Sequence, residues 1–268
     1  MARIRLDHVL TERGLARSRA EAQALIHAGS VELDGNRRLK PGQLVPRDAS
    51  VSLVERPRWA SRAGAKLEHA LDAFSIDPAG MAALDAGAST GGFTDVLLAR
   101  GARVVYAVDV GRAQLIQRLR DDPRVVSMER TNLRELRELP EPIDLATLDL
   151  SFISLRLVFG TVRDLLADDG RIVALVKPQF EAGPDDVPRG GVVRDPTVWE
   201  RVLREVGTDA RDAGLRAARA IRSPITGTDG NVEFLVDLRR QTGHAQQPSG
   251  YDQSVVAAAL GADGSDES

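Results

Sequence analysis

A run of small residues after a short apolar stretch carries the first chemical signal in the chain. Residues 84–95 read LDAGASTGGFTD, a pattern that predicts a strand, a tight loop and the start of a helix. Such a loop lets backbone approach a ligand beside a helix N-terminus, at the carboxyl edge of a sheet. The segment lacks the Gly-Lys-Ser/Thr ending of a phosphate-binding loop and does not fit the G-x-G-x-x-G dinucleotide fingerprint. A nucleotide-like cofactor of another kind is therefore indicated, with an ordinary glycine-rich connection as the alternative.

Two carboxylates accompany this loop. Asp85 precedes its first glycine, and Asp109 follows the next apolar stretch, Val104–Val108. A carboxylate after that stretch is placed to accept hydrogen bonds from ribose hydroxyls, and an acid in the first loop suits a cationic ligand better than a pyrophosphate. These features predict an S-adenosylmethionine site. The expected cofactor-binding residues are Asp85, Gly87, Ser89, Thr90, Gly91, Gly92, Phe93 and Asp109.

Charged residues also end two later apolar stretches. Asp149 follows Leu145–Leu148, and Lys177 follows Ile172–Val176. Because parallel strands end at one edge of a sheet, we expect both side chains to face one cleft.

Lysine is rare in this chain, since 33 of the 36 basic residues are arginines and the three lysines are Lys40, Lys66 and Lys177. An amine loses its proton when desolvated and a guanidinium does not, so a lysine marks a place where arginine is not an equivalent.

The elements that must position these residues alternate along the chain from about residue 58. Alternating strands and helices predict an α/β fold with a doubly wound, mostly parallel sheet that is covered on both faces. The predicted strands are Ala82–Ala86, Val104–Val108, Val125–Met128, Leu145–Leu148, Ile172–Val176, Arg216–Ser223 and Val232–Leu238. The predicted helices are Lys66–Phe74, Phe93–Arg100, Leu115–Arg120, Leu157–Leu166 and Thr197–Ala213.

A smaller module precedes this region. Two short helices are predicted, the second with a capping box of Ser18 and Glu21, and short strands follow them. We therefore expect a small α+β domain at 1–56, a linker at 57–62, the α/β domain at 63–240 and a disordered tail at 241–268, where Gln, Gly, Ser and Asp predominate.

The basic excess of the chain lies in its first 60 residues, with 11 Arg and Lys against 7 Asp and Glu, although the net charge is −3. Arginines in the small domain can contact the phosphates of structured RNA, which is recognised mainly by shape and backbone. A solvated basic surface is the alternative. The candidate RNA-binding residues are Arg13, Arg17, Arg19, Arg37, Arg38 and Lys40.

Other classes of protein are disfavoured by what the sequence lacks. There is no cysteine, and four scattered histidines make a zinc site improbable, so we expect no metal. No stretch approaches 18 consecutive apolar residues and no signal peptide is evident. We expect a cytoplasmic protein, with a monomer favoured and no membrane partner.

Seven motifs occur in order over residues 1 to about 240. They are LTERGLARSR at 10–19, SRAGAKL at 61–67, DAGASTGGFT at 85–94, DLSF at 149–152, KPQF at 177–180, GGVV at 190–193 and GNVE at 230–233. This ordered set resembles the TlyA family, known both as hemolysins and as ribosomal RNA ribose 2′-O-methyltransferases. The resemblance implies a Rossmann-like class I methyltransferase domain of the FtsJ type, preceded by an RNA-binding module named after a small-subunit ribosomal protein. It further implies cytidine in ribosomal subunits as the target. The family's Lys-Asp-Lys-Glu tetrad falls on Lys66, Asp149, Lys177 and Glu233.

The tetrad suits a reaction at a ribose hydroxyl, which is a weak acid. Lys177 is the expected catalytic group, either as a base or as an ammonium that stabilises the oxyanion, and Phe180 is a candidate to pack against a flipped nucleotide. A buried ion-pair network without catalytic function is the structural alternative. At the level of function, the alternatives are a hemolysin-like membrane-active protein and a non-catalytic RNA-binding ribosome assembly factor.

Overall fold

The computed structural model describes residues 3–27, 30–36, 39–53, 58–227, 229–241 and 253–261. The chain divides into two compact units, 1–58 and 59–268. Part of the predicted linker 57–62 therefore lies in the second unit. There the indole of Trp59 donates to Glu68 and the backbone N–H of Ala60 donates to Asp95, and these bonds anchor the segment before the first helix of that unit.

The first unit is a small α+β domain with two antiparallel strand pairs, β1 with β3 and β2 with β4. One half of the predicted capping box is present in its second helix, because the hydroxyl of Ser18 accepts from the backbone N–H of Glu21, whereas the Glu21 carboxylate accepts from the N–H of Arg17 instead of Ser18. Apolar side chains of both helices share one core with Val31 and Val45. The elements are β1 Arg3–Arg5, α1 Leu6–Glu12, α2 Arg19–His27, β2 Val31–Leu33, β3 Leu44–Pro46 and β4 Val51–Leu53.

The second unit is built on a seven-stranded sheet with the order β10-β11-β9-β8-β5-β6-β7. Strands β5 to β9 are parallel, and β11 runs antiparallel to both of its neighbours. The strands are β5 Ala82–Ala86, β6 Val104–Asp109, β7 Val125–Glu129, β8 Ile143–Leu148, β9 Leu166–Val176, β10 Leu215–Arg222 and β11 Phe234–Arg240. The helices are α3 Ala63–Ala73, α4 Gly92–Ala99, α5 Gln117–Arg120, α6 Arg156–Leu165, α7 Pro178–Glu181, α8 Pro196–Asp212 and α9 Gln253–Leu260.

Apolar clusters cover both faces of this sheet, which confirms the predicted doubly wound α/β fold. One cluster packs α6 and α8 on one face, and the other packs α3 and α4 on the opposite face. Strand order reverses beside β5, whose neighbours are β6 on one side and β8 on the other. Such a switch point opens a crevice beyond the carboxyl ends of the strands, where ligands bind in open α/β sheets.

The tail corrects one expectation. Residues 253–260, expected to be disordered, form helix α9. Val256 and Ala259 of this helix are buried in the apolar cluster that contains α8. Its stability therefore comes from tertiary packing, which composition does not reveal. None of the helices in the described part of the chain is both long and apolar enough to span a membrane.

Candidate active site

The glycine loop between β5 and α4 lies at the switch point of the sheet. Gly87 has φ +82°, a left-handed conformation that favours glycine. A Cβ on this residue would lie 2.4 Å from the backbone oxygen of Asp149. Glycine therefore allows the loop and the end of β8 to approach each other closely.

A cavity of about 480 Å³ opens beside this loop. Such a volume lies within the range typical of small-molecule sites. Gly87, Ser89 and Asp109, three of the predicted cofactor-binding residues, line it, together with Asp149. The remaining wall contains the side chains of Val108, Val110, Gln114, Thr131, Asn132, Leu133, Leu150, Ser151, Phe152, Ile153 and Val158.

Asp109 is fixed at the end of β6 by backbone donors. Its two carboxylate oxygens accept from the N–H groups of Ser89, at 2.8 Å, and of Gly111, at 2.6 Å. Ser89 has φ +47°, which is uncommon for a residue with a side chain. The bond from Ser89 thus ties the glycine loop to the carboxylate that was predicted to meet a ribose.

The other predicted loop residues do not line this cavity. Gly91 packs against Leu115 and Leu119, so that an added Cβ would lie 2.3 Å from the nearer side chain. Gly92 packs in the same way against Ser61 and Gly64. Thr90 accepts a backbone hydrogen bond from Ile116, and Phe93 is buried in the apolar cluster that contains α3 and α4. These residues support the loop by packing on its side away from the cavity.

Asp85 also lies behind the loop and is fully buried. Its carboxylate accepts hydrogen bonds from the hydroxyls of Thr94, at 2.6 Å, and Thr147, at 3.1 Å. Burial raises the pKa of Asp85 to about 6, although these two hydrogen bonds act in the opposite direction. The residue joins β5, α4 and β8 beneath the site.

The four residues of the predicted tetrad come together around a second cavity, of about 420 Å³. Lys66, on α3, forms an ion pair with Glu233. Lys177, directly after β9, forms an ion pair of 2.7 Å with Asp149, directly after β8. Phe234 pairs with Val176 in the sheet, so Glu233 and Lys177 leave neighbouring strands at the same edge. Each lysine thus has its own carboxylate.

The two cavities share four lining residues, Gly87, Ser89, Asp149 and Ser151. A group in the first cavity is therefore adjacent to the paired lysines in the second. Ser151 was missed by sequence reasoning, as were Ser61, Arg62 and Ile225 of the second cavity and Thr131 and Asn132 of the first. Ser151 lies two residues after Asp149, and Thr131 lies just beyond the end of β7, so proximity to a strand end was the available signal.

An aromatic pair lies next to these cavities. The rings of Phe152 and Phe180 are 5.0 Å apart between centroids, and the amine of Lys177 lies 5.8 Å from the Phe180 ring centroid. Phe152 is 90% exposed. A ring so exposed offers an apolar face beside the lysine.

In the first unit, the candidate RNA-binding residues differ in their contacts. Arg13 is exposed, but its guanidinium donates to the backbone oxygens of Ala49 and Arg47. Arg17, Arg19 and Lys40 are also exposed, whereas Arg37 and Arg38 lie outside the described residues.

A buried acid organises part of this surface. Asp7 is fully buried and accepts from Arg5, at 2.8 Å, and from Gln23, at 2.9 Å, with Arg19 at 3.5 Å. The hydrogen bonds from Arg5 hold the pKa of Asp7 well below its ordinary value. Asp7 therefore keeps its negative charge and holds two guanidinium groups side by side.

Within the ranges that the structure describes, no group of three or more His, Asp or Glu side chains is arranged to hold a metal ion.

Comparisons with known proteins agree with this arrangement. Residues 59–240 match the family model of the FtsJ-like methyltransferases, and residues 4–51 match that of the S4 domain. The chain is 47% identical to the 16S/23S rRNA (cytidine-2′-O)-methyltransferase TlyA of Mycobacterium tuberculosis, over 94% of this chain and 96% of that protein.

Two further relatives are named as hemolysins. Hemolysin A of Brachyspira hyodysenteriae is 38% identical, over 87% of this chain and 98% of that protein. A solved structure of a Streptococcus thermophilus protein named as a hemolysin has a TM-score of 0.74 and 39% identity, and it covers 97% of this chain and 95% of that one.

Proposed function

This chain belongs to the TlyA family of FtsJ-like methyltransferases, and from that premise we propose that it methylates the 2′-hydroxyl of cytidine in ribosomal RNA, with S-adenosylmethionine as methyl donor. The observation that carries the proposal is the adjacency of two cavities. One is bordered by the glycine loop and Asp109, the other by two lysine–carboxylate pairs, and Asp149 lines both.

The first cavity fits the proposed donor by its chemistry. Asp109 and Asp149 supply negative charge, and Val108, Leu133 and Ile153 supply an apolar wall for a flat base. Gly87 leaves room where a side chain would meet the Asp149 backbone. When bound, S-adenosylmethionine supplies an electrophilic methyl group next to a positive sulfur. The residues that would hold it are those named here together with Ser89.

The second cavity suits a ribose hydroxyl. A hydroxyl reacts as a nucleophile when its proton is removed or when the developing negative charge is stabilised. Lys177 lines the second cavity, and its partners Asp149 and Ser151 line both cavities. In this proposal Lys177 is the group that acts on the hydroxyl. Lys66, paired with Glu233, holds a second amine at the same site. Since each amine is paired with a carboxylate, the cluster carries no net charge, and this limits the cost of burying it.

In this proposal, residues of both units bind the RNA. Arg5, Arg17 and Arg19 of the first unit supply exposed or half-buried guanidinium groups for phosphates. Phe180, whose ring lies against that of Phe152 at a tilt and beside Lys177, supplies an apolar surface for a base that has left its stack.

The test is transfer of radiolabelled methyl from S-adenosylmethionine to purified ribosomal subunits, followed by mapping of the labelled ribose. Wild type is expected to label one or both subunits. Lys177→Ala is expected to reduce transfer at least about 100-fold, the range for loss of a general acid or base, with cofactor affinity nearly unchanged. Lys177→Arg is the matched variant, because it keeps a positive charge and does not release a proton.

The outcomes separate the functional alternatives. Activity retained by Lys177→Arg and lost by Lys177→Ala would assign the lysine to charge stabilisation, and loss in both would assign it to proton removal. Full turnover by Lys177→Ala would refute the mechanism. A wild type that binds cofactor and labels no RNA would favour the non-catalytic assembly factor.

A further inference from the structure

The amine of Lys177 has a second partner besides its carboxylate. Its Nζ lies 2.7 Å from Asp149 Oδ1 and donates a hydrogen bond of 3.0 Å to Ser151 Oγ. Both acceptors lie on the same short loop after β8, two residues apart, and all three residues line the 420 Å³ cavity.

These two contacts restrict the orientation of the nitrogen. An amine nitrogen has three tetrahedral positions besides its bond to carbon. Asp149 and Ser151 occupy two of them, which leaves one for a substrate in the cavity. In an ammonium the remaining position is an N–H, which donates to an oxyanion, and in a neutral amine it is the lone pair, which accepts a proton. In both protonation states, the contacts with Asp149 and Ser151 together fix the direction in which this third position points.

We propose that Ser151 is a positioning residue, which directs the third tetrahedral position of Lys177 Nζ toward the 2′-oxygen of the ribose. This inference rests on the proposed methyl transfer. With Asp149 alone, rotation about the last carbon–carbon bonds of the lysine side chain would move the nitrogen and turn its third position while the ion pair is kept. A well-oriented group gains much of its catalytic effect from its fixed geometry, so this rotation would slow the reaction.

The loop holds Ser151 firmly enough for this task. The next residue, Phe152, has φ +62°, a conformation that is costly for a side chain of this size and persists only where its surroundings impose it. Further along, Glu181 of α7 accepts from the Ser154 hydroxyl at 2.6 Å and from the Leu155 N–H at 2.9 Å. The loop is thus tied at Asp149 to Lys177 and, five residues later, to the helix that follows Lys177.

If Ser151 only stabilised the fold, its replacement would lower stability and would not change kcat selectively. Ser151 is an exposed residue, so removal of its hydroxyl creates no cavity in the core. Ser151→Ala should therefore fold as the wild type does. Ser151 also borders the cavity proposed for the cofactor, but its hydroxyl is hydrogen-bonded to Lys177, so we expect cofactor affinity to change little. The effect of the substitution should appear in kcat, because the lost contact orients a reacting group.

The experiment measures kcat and KM for RNA and for S-adenosylmethionine in the full chain. Ser151→Ala is expected to lower kcat about tenfold, which corresponds to one hydrogen bond of about 1.4 kcal/mol, with both KM values within about twofold of wild type. Ser151→Thr retains the hydroxyl and is expected to recover most of the rate. Thr208→Ala is the control, since it deletes a hydroxyl that donates to Arg204 within α8, and its kcat should equal that of wild type.

Several outcomes would overturn the assignment. A wild-type kcat in Ser151→Ala would refute it, as would equal losses in the Ala and Thr variants, because the hydroxyl would then not be the cause. A raised KM for the cofactor with unchanged kcat would make Ser151 a cofactor contact instead. If the wild type itself transfers no methyl group, the proposed function fails and this inference fails with it.

Discussion

Replacement of Asp85 by Asn should change how the stability of the second unit depends on pH. Asp85 is fully buried beneath the glycine loop, and burial raises the pKa of its carboxyl from 3.8 to about 6. A carboxyl whose folded-state pKa lies above its unfolded value stabilises the fold while it is protonated. That stabilisation is fully present below the unfolded pKa and is lost as the pH rises through about 6.

The size of the effect follows from the shift. At pH 5, one unit below the folded pKa, the proton bound by Asp85 stabilises the folded state by about 1.4 kcal/mol relative to pH 8. In Asp85→Asn this contribution disappears at every pH. The amide still accepts from one of the hydroxyls of Thr94 and Thr147 and donates to the other, so the packing is retained. The variant's stability relative to wild type should therefore be about 1.4 kcal/mol more favourable at pH 8 than at pH 5.

The assay is urea unfolding of both proteins at pH 5 and pH 8, followed by tryptophan fluorescence. The two tryptophans of the chain, Trp59 and Trp199, both lie in the second unit, so the signal reports that unit alone. Other groups that titrate in this range contribute equally to wild type and variant, and they cancel in the difference. Equal differences at the two pH values would refute the raised pKa of Asp85.

Three further variants, one of them a double substitution, test other parts of the molecule. Arg17→Glu with Arg19→Glu should weaken binding to ribosomal subunits at least about tenfold and reduce its salt dependence, with cofactor affinity unchanged in a titration, because phosphate contacts are lost. Val256→Asp should destabilise the chain by about 2 kcal/mol in thermal unfolding, because Val256 lies on the buried side of α9, in the apolar cluster. Gly87→Ala should lower methyl transfer at least about tenfold, since its Cβ would lie 2.4 Å from the backbone oxygen of Asp149.

Matched control variants separate these effects from a general loss of folding or stability. Gly80 has φ +75° with no atom within 4 Å of an added Cβ, so Gly80→Ala imposes the backbone strain without the collision and should remain active. Ala257 lies on the exposed side of α9, so Ala257→Asp should leave stability unchanged. If Gly80→Ala and Gly87→Ala lose activity equally, close approach to Asp149 is not the reason for glycine at position 87.

The alternating elements of the second unit were predictable because its central strands, such as β5 and β8, are short apolar runs that are buried on both faces of the sheet. Strand β5 was predicted residue for residue, and all five of its residues are buried. Strand β9, by contrast, begins at Leu166 instead of Ile172. The polar stretch 168–171 interrupts its apolar pattern, and only the pairing of Leu166 with Ile143 of β8, before an irregularity in the register, shows that the strand begins ahead of it.

The glycine loop was recognised from its composition, but the roles of its members were not. Eight residues in or near the loop were expected to bind the cofactor, and the structure places only Gly87, Ser89 and Asp109 on the cavity wall. Which members face a ligand depends on what packs behind them. Gly91 is small because Leu115 and Leu119 lie against it, and the sequence of the loop holds no information about these neighbours.

The sequence groups the four charged residues as one tetrad, but in the structure they form two separate lysine–carboxylate pairs. Lys66 and Glu233 form the more buried pair, with side chains 9% and 3% exposed, whereas Lys177 and Asp149 are 10% and 18% exposed. Asp149 also borders the cavity proposed for the cofactor, and Lys177 has Ser151 as an additional partner. A group that must meet both substrate and donor needs a partner that touches both cavities, and only the second pair has one. The pairing therefore supports Lys177 as the amine that acts on the hydroxyl, with Lys66 and Glu233 as the fixed, neutral pair beside it.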